Sequence, residues 1–265
     1  MPPSSDLLLG LGLALSGAAL AVFVGRTVPL FQAYEPDPDS ESGPPPPTFP
    51  GSGRRVPWAR WSPLPWRLVA TGRAPDGERV RAPLDAVLGA AAAFAAVGAS
   101  SAQRSAAEVA ALAFLALWGA VLAAIDTRTR RLPNPLVLPA YPVALALLAV
   151  AALTTPGGLD QAADALVGMA GLWAFYWLLW FVYPAGMGWG DVKLSGLLGL
   201  YLGWSGLGSV VSGTFAAFLL SACVGLVLMV LGRVGRGTQI PFGPFMVVGA
   251  LAVIVVGDPL PLLTG

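Results

Sequence analysis

Histidine is absent from this chain and cysteine occurs once, at Cys223. Those gaps exclude imidazole acid–base catalysis, a Cys/His zinc site and any disulfide within the chain. Charge is scarce too: 11% of the 265 residues are Asp, Glu, Lys or Arg, where an ordinary soluble domain carries about 25%. Hydrophobic side chains make up 56% of the chain and the mean hydropathy is +0.72. A soluble fold of this length cannot hide so much apolar surface, so the chain reads as an all-α membrane protein. Fifteen Lys+Arg against fourteen Asp+Glu leave a formal net charge of +1, and no basic excess points to a nucleic-acid partner. Any chemistry must come mostly from carboxylates, hydroxyls and lysine.

What is present is a succession of apolar runs. The first, Leu7 to Val24, has no basic residues ahead of it and is longer than the apolar core of a secretory signal, so it reads as a retained transmembrane helix. A polar stretch from Gly25 to Arg81 follows. Its acidic, Pro-rich part (Glu35, Asp37, Asp39, Glu41, then Pro44 to Pro47) reads as a flexible or polyproline-like linker. Its second part mixes seven arginines with Trp58, Trp61 and Trp66, a composition suited to the headgroup layer. From Pro83 onward the runs are 83–103, 106–125, 134–153, 161–183, a short 192–204, 206–231 and 240–257. With the first, that makes about eight transmembrane helices and two units, 1–82 and 83–265. Ser195, Gly199 and Gly203 recur at four-residue spacing, which allows close helix packing in lipid.

Sorting the cations by loop orients the chain. With the N-terminus outside, the inner loops hold Arg26, Arg54, Arg55, Arg60, Arg67, Arg73, Arg79 and Arg81; then Arg128, Arg130 and Arg131; then Lys193; then Arg233 and Arg236. Only Arg104 falls outside. The positive-inside rule therefore predicts an N-out, C-out topology.

Two carboxylates stand apart from the solvated ones. Asp126 closes the third apolar run and Asp191 opens the sixth, both on the cytosolic side of that topology. Two carboxylates at one depth are the minimum for splitting a peptide with water: one takes a proton and the other polarises the carbonyl. An ionisable group at membrane depth is costly and usually functional. Asp85 shares the face but sits in a first helical turn, where the helix dipole alone favours an acid. Gly186, Gly188 and Gly190 precede Asp191. They form either a plain interhelical turn or a stretch along which an extended peptide can approach the backbone.

Met187-Gly188-Trp189-Gly190-Asp191-Val192-Lys193-Leu194 resembles the GxGDxKL signature of the type IV prepilin peptidases, bacterial members of the GxGD membrane aspartyl proteases. Ile125-Asp126 with Leu132-Pro133-Asn134 is similar to that family's other catalytic segment, and Pro241-Phe242-Gly243-Pro244-Phe245 is similar to the PFGPF motif opening its last helix. The resemblance implies a membrane aspartyl endopeptidase that removes the short basic leader from prepilins or pseudopilins at the cytosolic face of the inner (plasma) membrane. It implies Asp126 and Asp191 as the catalytic pair, Gly188, Gly190 and Lys193 near substrate, and Pro133, Asn134, Pro241, Gly243 and Pro244 in structural roles. No cofactor or metal is expected; membrane lipid is.

Bifunctional members of that family also methylate the new N-terminus, using a loop with two CxxC pairs. Gly17 to Arg26 resembles a worn version of their first motif, and Gly72-Arg73-Ala74-Pro75-Asp76-Gly77 resembles the second pair with Ala74 and Gly77 in place of the thiols. Losing all four cysteines speaks against zinc there and leaves methylation doubtful. The competing readings are a small transporter or proton relay, which would hold its carboxylates near the midplane, and a non-catalytic pilin-assembly protein. Trp173, Trp177, Trp180 and Phe181 read as an interface belt, and Cys223 as a small packing residue.

Overall fold

The computed structural model describes residues 3–33, 45–56, 65–184, 186–235, 238 and 240–258, with side chains described from residue 10 on. Glu35, Asp37, Asp39, Glu41, Pro44, Trp58, Arg60, Trp61 and Arg236 lie outside the described residues. The described chain is helical: α1 Pro3–Val24, α2 Trp66–Thr71, α3 Leu84–Ala99, α4 Ala106–Thr129, α5 Asn134–Thr154, α6 Gly158–Val182, α7 Trp189–Trp204, α8 Leu207–Val230 and α9 Gly243–Val256. The eight apolar runs correspond to α1 and α3 through α9. The six-residue α2 lies in the polar stretch between the first two runs. Five segments are long and apolar enough to cross a membrane: α1 with its continuation to Leu30, α4, α5, α6 and α8.

Local chemistry sets the ends. Ser105 caps α4 in a reciprocal box: its hydroxyl accepts from the Glu108 N–H at 3.2 Å, and the Glu108 carboxylate accepts from the Ser105 N–H at 2.8 Å. Pro133 is the N-cap of α5, where the missing proline N–H would have had no partner. The break between α7 and α8 is a turn at Gly206 with φ +114°, a conformation closed to residues carrying a Cβ.

Helix α4 packs against α3, α5 and α9, with α1 against α3 and α6 against α7. The α6–α7 approach is backbone to backbone. A Cβ on Gly168 would lie 2.5 Å from the Gly199 carbonyl oxygen, and Gly203 sits against Asp164 and Ala165 in the same way. The small-residue spacing of α7 is therefore a packing device. By contrast α8 packs on one flank only, and Phe215, Leu226, Val227 and Val230 face outward. Cys223 lies on that exposed surface rather than between helices as expected, because hydropathy alone does not separate a lipid-facing position from a packed one. Trp173, Trp177 and Phe181 stack along an exposed face of α6, whereas Trp180 packs against the core and the Trp189 ring.

Part of the polar stretch joins the core of the bundle. Phe49, Val56, Leu68, Val69, Ala74 and Val80 are buried. Thr48 pairs with Arg55 and Arg73 with Arg79 in isolated antiparallel bridges. The Glu78 carboxylate accepts from the Gly51 N–H at 2.8 Å. Asp76 is held below the usual carboxylate range by the Ser52 hydroxyl and then by the Glu78 N–H. Ala74 is buried in this core and Gly77 takes φ +87°, so a side-chain core and hydrogen bonds hold the two turns together.

Candidate active site

The segments singled out in sequence meet at one end of the bundle. Asp126 lies within the last turn of α4, 4% exposed. Its carboxylate accepts a 3.0 Å hydrogen bond from the Gly243 N–H, 117 residues away. Gly243 is the first residue of α9 and Pro244 the second. The N–H groups of a first turn have no partner inside the helix, and proline removes one of them. The Gly243 N–H, carrying part of the positive end of the α9 dipole, is thus left to hold a carboxylate. A Cβ at this position would lie 2.8 Å from Asp126 Oδ2 and 3.3 Å from its Cγ. Only glycine lets α9 begin so close to the aspartate.

Asp191 sits in the first turn of α7, whose N-cap is Gly188. Its N–H donates to the Gly188 carbonyl at 3.0 Å. A Cβ on Gly188 would stand 3.2 Å from Asp191 Oδ2. Two helix starts, α9 and α7, thus bring glycine backbone beside the two carboxylates.

Other motif residues tie these segments together. A Cβ on Gly190 would fall 2.9 Å from the Leu132 Cβ, so Gly190 makes room for the α4–α5 connection beside Asp126. Lys193 Nζ donates to Asn134 Oδ1, 59 residues away, and the Tyr141 hydroxyl donates to the Lys193 carbonyl at 2.5 Å. Asn134 and Lys193 therefore bind α5 to α7, a contact that sequence left open. Asp85 belongs elsewhere: it forms a bidentate ion pair with Arg128, both bonds 2.6 Å. An arginine holds it there in addition to the helix dipole.

Tyr176 escaped sequence reasoning. It is 1% exposed in α6 and faces the rings of Phe218 and Phe242. Nothing in its sequence context separates it from the neighbouring aromatics. Its ring and that of Phe242 join α6 to the start of α9, closing the apolar side of the site.

Cations gather at this end as well. Arg131 bonds the Gln32 and Pro45 carbonyls, each at 3.3 Å, and Arg128, Arg130 and Lys193 lie on the same connections. The opposite end holds Arg104, whose guanidinium donates to the Ile254 carbonyl at 2.5 Å. There the Trp204 indole N–H donates to Glu108 at 3.1 Å.

An apolar helical bundle that carries two aspartates at its cation-rich end marks a membrane protein. Residues 113–230, which include both aspartates, match the Type IV leader peptidase family. The chain is 39% identical over 160 residues to a prepilin leader peptidase/N-methyltransferase of Burkholderia pseudomallei, covering 59% of this chain and 50% of the relative. It is 32% identical over 153 residues to the protein of the same name from Stutzerimonas stutzeri (55% and 50%) and 31% identical over 153 residues to that of Pseudomonas aeruginosa (55% and 49%). The chain spans about half the length of these curated relatives. No solved structure matches it.

Proposed function

We propose that this protein is an aspartyl endopeptidase that removes the leader peptide from type IV prepilins or pseudopilins. The observation that carries the reading is the pair of aspartates at one end of the bundle, each beside the glycine backbone of a helix start, both within a segment that matches the leader peptidases. The transporter and assembly-protein alternatives are not favoured by those relatives.

In the proposed reaction one aspartate, ionised, takes a proton from water while the other, protonated, hydrogen-bonds the scissile carbonyl oxygen. Water oxygen bonds to the carbonyl carbon and a tetrahedral intermediate forms. The C–N bond then breaks and the departing amine takes up a proton, leaving the leader with a carboxylate. The backbone N–H fixed at Gly243 holds the Asp126 carboxylate without reorganising as charge moves between the two groups. Gly188, Gly190 and Lys193 are the proposed wall for an extended peptide. Gly190 is committed to Leu132 and Lys193 to Asn134, so Gly188 is the position where a peptide backbone comes closest to Asp191.

The same reading has eight spans, N-out and C-out, with the site at the cytosolic face of the inner membrane and residues 83–265 as the peptidase unit. Supporting it is the gathering of cations at the site end, by the positive-inside rule. N-methylation is not part of the proposal. Residues 1–82 are read as the remnant of a methyltransferase region whose cysteine positions, at Ala74 and Gly77, carry no thiol.

The test is leader removal from a prepilin in proteoliposomes by the variants D126N and D191N, which keep shape and hydrogen-bonding capacity but cannot exchange the proton. Both should lose cleavage by at least about a thousandfold, the scale of losing an acid–base group. Normal processing by either variant ends the assignment.

A further inference from the structure

Away from the aspartates, a cavity of about 470 Å³ opens between the end of α1, the end of α2 and the chain leading into α3. Its lining includes Arg26, Arg73, Arg79 and Arg81 together with Val22 and Thr71. No carboxylate among the described residues lines it. The nearby acids are committed elsewhere: Glu78 to the Gly51 N–H, Asp76 to Ser52. Among the described residues none pairs with the four arginines.

Two features distinguish this from a solvated basic face. Arg73 and Arg79 are opposite each other in an antiparallel bridge, which sends both side chains to one side, and both line the cavity. Like charges directly opposite destabilise such a pair, so the bridge stands at a cost that a bound anion would offset. Arg26, in turn, is fixed in place. Its guanidinium donates to the Val69 carbonyl at 2.6 Å and the Ala70 carbonyl at 3.3 Å, and lies 4.9 Å from the centre of the Phe23 ring. Gly72, at φ +65°, leaves the room it needs: a Cβ there would sit 3.0 Å from Arg26 Cζ. A held guanidinium facing two forced together is a pocket arranged for an oxyanion, since the planar fork matches phosphate oxygens bidentately.

We propose that this cavity is a binding site for a phosphate-bearing anion, supplied by the headgroup of an anionic phospholipid. Its position argues for the lipid source. Val22 and Phe23 are exposed on α1 one turn before Arg26, so apolar surface for acyl chains runs directly into the arginines. Basic pockets beside membrane helices at the cytosolic side bind such headgroups. This site is independent of the peptidase assignment.

The experiment uses the full chain in uncharged detergent, with melting temperature and retention of lipid in native mass spectrometry as readouts. Phosphatidylglycerol, phosphatidylcholine and inorganic phosphate are added separately. Phosphatidylglycerol is expected to raise the melting temperature and stay bound, and the other two to do neither. R73Q/R79Q should weaken phosphatidylglycerol binding about tenfold or more, while R54Q/R55Q, outside the cavity, leaves it unchanged. The single variants R73Q and R79Q should bind several-fold more weakly yet melt no lower than the parent without lipid, because each removes the cross-strand repulsion. A shift with inorganic phosphate that R73Q/R79Q abolishes would uphold the anion site with a soluble ligand and overturn the lipid source. The proposal falls if wild type binds neither, if R73Q/R79Q binds as tightly as wild type, or if R54Q/R55Q loses as much.

Discussion

Replacing Gly243 with alanine adds one methyl group to the tightest point of the site. The new Cβ would stand 2.8 Å from Asp126 Oδ2 and 3.3 Å from Cγ, well inside van der Waals contact, so either the carboxylate turns away or α9 moves back. Each course breaks the 3.0 Å bond from the Gly243 N–H. A hydrogen bond to a charged group contributes about 1.5–3 kcal/mol, and a loss of that size in the transition state slows the reaction roughly 10- to 100-fold. Overpacking itself costs about 1–3 kcal/mol of stability, so folding is followed alongside rate. Two further glycines make the test graded. A Cβ on Gly188 reaches 3.2 Å from Asp191 Oδ2, whereas one on Gly171, on the open face of α6, meets nothing within 4 Å. Leader cleavage in proteoliposomes should therefore fall most for G243A, less for G188A and not at all for G171A, with melting temperatures recorded for each. Wild-type cleavage by folded G243A would refute the idea that the start of α9 positions Asp126.

Three other outcomes follow from the packing and the polar contacts. G199A places a methyl against the Gly168 backbone and should lower unfolding stability in detergent by about 1–3 kcal/mol, with the α6–α7 contact reporting the change by cross-linking. K193M and N134L each break one interaction, so a double-mutant cycle on cleavage rate and stability should give a coupling of about 1 kcal/mol; strictly additive effects would deny the contact. D85N removes a half-exposed ion pair to Arg128 and should cost at most about 1 kcal/mol, less at high salt, with leader cleavage within about threefold of wild type. A D85N loss matching that of D126N would place Asp85 in the machinery after all.

Much of this protein is written locally. The apolar runs anticipate α1 and α3 through α9 within a few residues, because hydropathy and caps act over one or two turns. Asp126 and Asp191 are conspicuous for the same reason: a carboxylate closing or opening an apolar run is visible without any partner. The small-residue spacing in α7 likewise announced close packing. The partners themselves were not legible. Nothing near Asp126 tells that the N–H of Gly243, 117 residues on, holds its carboxylate, or that Lys193 is bound to Asn134. Tyr176 and Cys223 make the same point from opposite sides, one apolar-run residue turned into the site and the other outward to lipid. The burial of Phe49, Ala74 and Val80 and the facing arginines of the bridge also needed three dimensions. Sequence by itself determined that the chain is a helical membrane protein with two exceptional aspartates. Tertiary structure decided what each aspartate touches, because contact between helices depends on rotation about their axes and depth of docking, quantities that hydropathy does not encode.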